Sequence, residues 1–242
     1  MNSDYEISFK IVFAGDSNCG KTSIIKCCRH NYLSNSLKFF LDDSLPPTIG
    51  VDYICIRQTV VLDDGKDCIL KFSIWDTGGH DNYKNICKIY FKDISCAIVV
   101  FNLCDNDSFL NVKKWINNIN NTNNNNKDDL IYVIIGNKSD LVDPTISTDY
   151  NSKCKELLKD FNINHIYYET SVKSNNNIKE CFNELTYILL ETFTSKFNIK
   201  KNQKGIQSLV KLNCIENSSG INILTTLHSN DRCINRKSYC FR

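Results

Sequence analysis

The sequence predicts a three-layer α/β domain with a mostly parallel six-stranded sheet, one antiparallel strand, and helices on both faces. Strand-like and helix-like segments alternate between residues 7 and 196. The runs at 96–102 and 130–136 are continuously apolar, which is typical of strands buried on both faces. The turn at 63–66 reads Asp-Asp-Gly-Lys and joins two strand-like runs as a hairpin, which makes one strand antiparallel.

Each element has its own signal. Strands are predicted at 7–14, 51–62, 68–75, 96–102, 130–136 and 165–169, where β-branched and aromatic residues cluster. Helices are predicted from Gly20 onward, from a cap at Asp105 or Asn106 to Asn120, over about 147–161, and over about 177–196. The last helix carries one apolar stripe, formed by Ile178, Cys181, Phe182, Leu185, Ile188 and Leu189.

The composition is that of an ordinary globular protein, with 42% hydrophobic and 23% charged residues among 242. A net charge of +2 gives no support for nucleic-acid binding. No apolar stretch reaches the roughly 18 residues of a spanning helix, and the first residues lack the features of a secretory signal. We therefore expect a cytoplasmic protein, and we also expect it to be a monomer.

The 13 cysteines do not resemble a zinc site, because no two have the C-x-x-C spacing and only four histidines accompany them. Many lie in apolar runs, such as Cys96 ahead of Ala97-Ile98-Val99. We interpret them as small buried hydrophobes in a reducing compartment.

Charge divides the chain into two parts. Residues 1–195 have a net charge of −5, whereas residues 196–242 have a net charge of +7, are rich in Asn and Ser, and lack periodicity. The sequence therefore predicts a folded domain at 1–195 and a basic, disordered tail at 196–242.

Residues Gly15 to Thr22 fit the phosphate-loop pattern G-x-x-x-x-G-K-[ST], between a predicted strand and a predicted helix. The backbone amides of Asp16, Ser17, Asn18, Cys19 and Gly20 would cradle phosphates. Lys21 would place a cation between the β- and γ-phosphates, and Thr22 would offer a hydroxyl to Mg²⁺. A chance match in a strand-to-helix turn is the alternative.

Two further loops predict guanine selection. In Asn137-Lys138-Ser139-Asp140, the Asp carboxylate can accept both N1–H and the 2-amino group of guanine, which adenine cannot offer. The Asn side chain could lie alongside the base, and the Lys stem could stack on its face. The segment at 169–174 also follows a strand, and the amides of Ser171, Val172 and Lys173 could bind the guanine oxygen.

These motifs, together with Pro47-Thr48-Ile49-Gly50-Val51-Asp52-Tyr53 and Trp75-Asp76-Thr77-Gly78-Gly79, occur in the order found in the Ras superfamily of small GTPases. The chain resembles that superfamily over about residues 7–195, and its Rab branch most closely. The resemblance implies a P-loop G domain that hydrolyses GTP to GDP with Mg²⁺. It also implies an exchange factor, a GTPase-activating protein and effectors as partners.

The resemblance assigns roles to the two switch loops. It implies that Thr48 of switch I reaches Mg²⁺ when the γ-phosphate is present, that Asp76 holds Mg²⁺ through water, and that the Gly79 amide contacts the γ-phosphate. On the residues alone, Thr48 is better explained as an ordinary residue after a Pro-Pro turn, and Asp76 equally well as a strand-end carboxylate.

The resemblance also implies an effector surface, made of 49–53 and Trp75. Trp75 has a core position as its alternative, and Trp115 is predicted as a packing residue of the third helix.

The sequence departs from the family pattern in switch II. His80 replaces the Gln that orients the attacking water. The run Asp76-Thr77-Gly78-Gly79-His80 is instead similar to the D-x-x-G-H of translational GTPases, where the His serves that role; an inert surface His is the alternative. Gly78 replaces the usual Ala and should loosen the loop.

Two other segments depart as well. The stretch before Thr48 is longer than in the family and contains the apolar run 37–41, which we interpret as a packed loop. The sequence ends Tyr239-Cys240-Phe241-Arg242, so Cys240 lacks the terminal spacing of a prenylation motif and is a poor lipid acceptor. Basic residues near it could favour an anionic membrane surface, such as the cytosolic face of an endomembrane.

The sequence therefore predicts a Rab-like guanine-nucleotide switch in vesicle traffic, with Lys21, Thr48 and His80 as catalytic residues. Its alternative is a GTP-binding display module that recruits partners without efficient turnover.

Overall fold

The computed structural model describes residues 5–33, 45–61, 67–80, 83–123, 130–143, 149–161, 163, 165–196 and 237–240. The strands are β1 (Tyr5–Ala14), β2 (Val51–Val61), β3 (Asp67–Thr77), β4 (Cys96–Asn102), β5 (Ile131–Asn137), β6 (His165–Thr170) and β7 (Lys237–Cys240). The helices are α1 (Lys21–Leu33), α2 (Lys84–Lys88), α3 (Asn106–Thr122), α4 (Tyr150–Leu158) and α5 (Ile178–Lys196).

Six strands form one sheet in the order β2-β3-β1-β4-β5-β6. Only β2 is antiparallel, to β3; β1 pairs in parallel with both β3 and β4, and the remaining neighbours are parallel. The predicted fold class, a mostly parallel six-stranded sheet with one antiparallel strand, is confirmed. The predicted hairpin turn at 63–66 lies outside the described residues.

The seventh strand was not predicted. β7 pairs in parallel with Tyr5–Ser8, the half of β1 that β4 does not reach. It contains only four residues and lies in the segment that composition identifies as a tail, so no alternation marks it in the sequence. Cys240, the candidate lipidation residue, stands opposite Ser8 in this pairing.

Alternation along the central strand builds two cores. Ile7, Phe9, Ile11 and Phe13 of β1 face α1 and α5, whereas Val12 and Ala14 face the side covered by α2, α3 and α4. The α5 stripe is buried as predicted except at Ile188, which is half-buried; Leu190 and Phe193 extend it instead. Helices therefore cover both faces.

Local signals place the other helices with mixed success. Asp105 caps α3 as predicted, because its side chain accepts hydrogen bonds from the backbone N–H groups of Asp107 and Ser108. The five-residue α2 was not predicted, since it is too short to show a helical period. In the described ranges, no helix combines the length and apolarity needed to cross a membrane.

Eight cysteines of the described part are buried free thiols, as their apolar neighbours indicate: Cys19, Cys27, Cys28, Cys68, Cys87, Cys96, Cys154 and Cys181.

Candidate nucleotide-binding site

Two adjoining clefts lie at the carboxyl ends of the parallel strands, where α/β sheets bind ligands. One has a volume of about 470 Å³ and extends toward Thr48 and His80, and the other has about 290 Å³ and extends toward Asp140. Both are lined by Asn18, Gly20, Ser23 and Leu45. The clefts therefore form a continuous groove, with the phosphate loop at one end and the segment 137–140 at the other.

Leu45 is a groove residue that the sequence reasoning missed. It is half-buried and lines both clefts, directly ahead of Pro46. Its signal is weak, since a residue before proline is only biased toward an extended conformation. The apolar run at 37–41 lies outside the described residues.

The phosphate loop wraps around its own lysine. Lys21 is 6% exposed, and its Nζ donates to the carbonyls of Gly15 at 2.8 Å and Asp16 at 2.7 Å. Burial lowers the pKa of Lys21 from its usual value. Asn18 adopts the left-handed conformation (φ 61°), which Asn tolerates better than most residues. The Lys21 ammonium is therefore held at the wall of the larger cleft.

Three oxygen-bearing side chains converge beside that lysine. The Thr22 Oγ1 donates to Asp76 Oδ2 at 2.5 Å and lies 2.8 Å from Thr48 Oγ1. Thr48 Oγ1 lies 3.4 Å from the same Asp76 oxygen. The residues come from α1, from the segment before β2 and from the end of β3, so only the fold brings them together.

This cluster has the chemistry of a magnesium site. Asp76 is 1% exposed, and its Oδ1 is buried without a hydrogen-bond partner among the described residues. Burial raises the pKa of the Asp76 carboxyl, and the hydrogen bond from Thr22 opposes that rise. An unpartnered buried carboxylate oxygen is costly unless a cation compensates it. Two hydroxyls and a carboxylate suit Mg²⁺, which prefers oxygen ligands.

Two switch II glycines lie very close to neighbouring backbone, Gly79 to the phosphate loop and Gly78 to the segment that carries Thr48. A Cβ at Gly79 would lie 2.3 Å from the carbonyl carbon of Asp16 and 2.4 Å from the nitrogen of Ser17. A Cβ at Gly78 would lie 2.7 Å from the carbonyl oxygen of Thr48. The Gly78 N–H donates to the Gly50 carbonyl at 2.8 Å, so Gly78 is tightly packed, contrary to the loosening expected from the sequence.

His80 lies exposed at the rim of the larger cleft, with Gly79, Thr48 and Tyr83. The Tyr83 N–H donates to the His80 carbonyl at 2.9 Å, and the two rings are edge to face at 6.3 Å. His80 therefore lines the same cleft as Thr48 and Gly79, the residues predicted to contact the metal and the γ-phosphate. Tyr83 was missed, because a lone Tyr in a polar run has no distinguishing pattern.

The opposite end of the groove carries Asp140. Its carboxylate is exposed, and Oδ1 accepts a hydrogen bond from the Ser171 hydroxyl at 2.6 Å. Lys138 is left-handed (φ 67°), and Val172 and Lys173 line the same cleft. The two predicted guanine-binding loops thus meet at one wall.

Asn137 also lines this cleft, and its side chain is hydrogen-bonded within the protein. It is 2% exposed, its Nδ2 donates to the Cys19 carbonyl at 2.9 Å, and its Oδ1 accepts from the Thr170 hydroxyl at 3.1 Å. These hydrogen bonds connect the phosphate loop, β5 and β6, and the position of the Asn137 side chain alongside the base stays a prediction.

The side chain of Asp16, whose backbone amide is predicted to cradle phosphate, is bound by α3. Its Oδ1 accepts from Trp115 Nε1 at 2.7 Å, and its Oδ2 accepts from Asn111 Nδ2 at 2.6 Å. Trp115 is buried, as predicted for a packing residue, but its indole N–H also donates a hydrogen bond to the phosphate loop. No local pattern signals this pairing, because 99 residues separate the partners.

An apolar surface surrounds the switch segments. Ile49 is 80% exposed, and Tyr53, Ile86 and Ile89 are also exposed. Trp75 is half-buried between Tyr53 and Tyr90, with ring centroids 4.9 and 4.7 Å away. Trp75 thus combines the two predicted positions, because it also packs against the core on the α3 side.

Comparison with known proteins agrees with this geometry. A family model described as the Ras family matches residues 10–191. The GTP-binding protein YPT52 of Saccharomyces cerevisiae is 26% identical over 219 residues, which cover 82% of this chain and 88% of that protein.

Proposed function

Since the chain belongs to the Ras family, we propose that it works as a Rab-like switch that binds guanine nucleotides and hydrolyses GTP to GDP. The observation that carries the proposal is the convergence of Thr22, Thr48 and Asp76 within 3.4 Å, beside the buried Lys21. This arrangement supplies a cation and three metal-ligating oxygens at one end of a groove whose other end offers a carboxylate.

Binding begins with the phosphate loop. Lys21 exchanges its carbonyl partners, Gly15 and Asp16, for phosphate oxygens, which form stronger charge-assisted bonds. The loop amides and the start of α1 add further donors. At the other end, Asp140 accepts from the guanine N1–H and amino groups, while Ser171 keeps the carboxylate oriented.

Thr22, Thr48 and Asp76 are the residues that would hold Mg²⁺, Asp76 through a water molecule. The chemistry that Mg²⁺ would supply when held there is neutralisation of charge on the phosphate oxygens. Thr48 belongs to switch I, so its presence at the metal site links that loop to the nucleotide state. The Gly78–Gly50 hydrogen bond links switch II to the same event.

Hydrolysis requires a positioned water, and His80 is the side chain that would position it. A neutral imidazole can either donate or accept one hydrogen bond with the attacking water, whereas a Gln amide can do both at once. Intrinsic turnover is therefore slow. This replacement also favours a second candidate function, a GTP-bound display module that recruits partners with little turnover.

Effectors, an exchange factor and a GTPase-activating protein would read the surface formed by Ile49, Tyr53, Trp75 and Ile89. The likeness to a GTP-binding Rab-type protein supports a role in vesicle traffic on the cytosolic face of an endomembrane. The basic residues of 196–242 would supply attraction to anionic lipid, with Cys240 as a poor lipid acceptor.

Nucleotide retention and phosphate release from the full-length chain test the proposal. The native chain should retain GTP and GDP in Mg²⁺ buffer but not ATP, and should release γ-phosphate in a single turnover. Lys21→Ala removes the buried cation and Thr22→Asn removes a hydroxyl ligand, so each should reduce GTP retention at least about tenfold.

Unchanged retention in both variants, or equal retention of ATP and GTP by the native chain, would contradict the proposal. Tight GTP retention without phosphate release, even with an activating cell extract, would support the display module instead.

A further inference from the structure

The phosphate loop is attached to α3 by side chains as well as by the sheet. Both carboxylate oxygens of Asp16 are bound by α3, one by the Trp115 indole N–H at 2.7 Å and one by the Asn111 amide at 2.6 Å. A carboxylate with two N–H donors in these positions has one preferred orientation, because each oxygen is engaged by a different partner.

A third residue of α3 contacts the same loop. The buried Cys19 thiol interacts with the hydroxyl of Ser108. Ser108, Asn111 and Trp115 are spaced three and four residues apart, so they share one face of α3. These three side chains form a polar stripe on that face, and the stripe contacts the phosphate loop.

α3 is a firm support for this stripe. Trp115 is 2% exposed, and Val112 and Ile116 beside it are fully buried in the core between α3 and the sheet. The Ser108 hydroxyl also donates to the Asp105 carbonyl at 2.7 Å, which ties the stripe to the start of the helix. Movement of the loop would therefore require breaking contacts anchored in the core.

The charge of Asp16 gives the attachment a consequence for the ligand. An anionic side chain in a loop that binds phosphate would repel the ligand if it turned toward it. The two N–H donors of α3 hold that carboxylate on the far side of the loop, while the Asp16 carbonyl faces Lys21.

We propose that Asn111 and Trp115 are positioning residues for the phosphate loop: by binding the Asp16 carboxylate they hold the loop in its phosphate-binding shape and set the lifetime of bound nucleotide. The inference rests on the proposed nucleotide-binding function and adds to it a determinant of nucleotide release on α3, outside the switch loops.

The test compares GDP dissociation from the full-length chain with fluorescent GDP. Trp115→Phe keeps an aromatic ring and removes the donor together with part of the indole volume, and Asn111→Leu removes the second donor at similar volume. Loss of a hydrogen bond to a charged group predicts roughly tenfold faster GDP dissociation in each variant.

The matched control is Tyr132→Phe. It removes a 2.6 Å hydrogen bond from the Tyr132 hydroxyl to Asn120 Oδ1, near the opposite end of α3. It should lower the melting temperature comparably and leave GDP dissociation within about twofold of the native rate, because it does not touch the loop.

A double-mutant cycle with Asp16→Ala isolates the contact. In the Asp16→Ala background, Trp115→Phe should accelerate dissociation no further, because its partner is gone. The proposal is overturned if Trp115→Phe and Asn111→Leu release GDP at the control's rate, or if their effects add fully to that of Asp16→Ala. A native chain that retains no GDP would instead refute the proposed function, and this inference with it.

Discussion

At the phosphate-loop end of the groove, the two carboxylate oxygens of Asp76 have different surroundings. Asp76 Oδ2 is shared by two threonine hydroxyls, whereas Oδ1 is buried without a partner in the described part of the chain. Asp140 shows the complementary arrangement at the base end, where one oxygen is oriented by Ser171 and the carboxylate stays exposed. We therefore propose that the two carboxylates serve different ligands, because their burial differs.

We predict that the rate of hydrolysis depends on the residue at position 80. We expect the native chain to hydrolyse GTP about tenfold more slowly than His80→Gln, equivalent to about 1.4 kcal/mol of barrier, because an imidazole positions water with one hydrogen bond only. Single-turnover hydrolysis on GTP-loaded protein measures this, with His80→Ala as the comparison. Equal rates in all three proteins would show that position 80 does not orient water. A faster native chain would identify His80 as a working catalytic group of the translational type.

Base selection depends on Asp140. Asp140→Asn exchanges two acceptors for one donor and one acceptor, so affinity for GTP should fall at least about a hundredfold while xanthosine triphosphate becomes the preferred ligand. Competition binding with both nucleotides measures the change. The matched control is Asp149→Asn at the start of α4, where Asn can also cap the helix. Loss of GTP affinity in the control as well, or no change in preference at Asp140, would contradict the assignment.

At the scale of elements, the two switch segments are joined by backbone contacts. The end of β3 approaches the segment before β2 so closely that only glycine fits at position 78. The buried Cys87 of α2 lies against the carbonyls of Gly78 and Gly50, at 3.8 and 4.0 Å. α2 therefore packs on the junction between the two switches.

Gly78→Ala should separate the switches. The added methyl would lie 2.7 Å from the Thr48 carbonyl, so the backbone that carries the Thr48 hydroxyl must move away from the metal site. We expect GTP hydrolysis to slow by about tenfold, since small displacements of positioned groups are costly in catalysis. Retention of GDP, which does not require Thr48, is the internal control. Unchanged hydrolysis would show that the close approach has no functional role, and equal loss of GDP would indicate general destabilisation.

The whole molecule combines an acidic domain with a basic segment. Residues 1–195 have a net charge of −5, and residues 196–242 have a net charge of +7. β7 is the described part of that segment, and it pairs with β1 next to strands that belong to the domain. β1 pairs with β3 and β4 as well as with β7, so we predict that the domain forms its core without the segment.

Truncation after Ser195 should therefore separate membrane attraction from nucleotide binding. We expect the full-length chain to bind phosphatidylserine-containing vesicles at least about tenfold more tightly than the truncated chain, because each basic residue near the surface adds about 1 kcal/mol. Sedimentation with vesicles measures this, and vesicles of phosphatidylcholine alone are the control. Equal binding by the two chains, or binding that ignores salt concentration, would refute an electrostatic role of the segment, and loss of GTP binding on truncation would refute the domain boundary.

Much of the fold and the motifs could be predicted from local sequence. The continuous apolar run of β4, the cap at Asp105 and the pattern from Gly15 to Thr22 are encoded by neighbouring residues, so their elements are predicted to within a few positions. The order of the motifs was sufficient to identify the Ras superfamily.

The sequence by itself thus determined the fold class, the family and the residue types available for phosphate, metal and base. Only the tertiary structure decided which of them meet: Thr22 with Thr48 and Asp76, Asn137 with Cys19, and Asp16 with Trp115. It also reversed the expectation for Gly78, whose neighbours come from another segment of the chain. The physical reason is that propensity and periodicity act over a few residues, whereas packing brings together distant groups, such as the Asn137 amide and the Cys19 carbonyl, which are 118 positions apart.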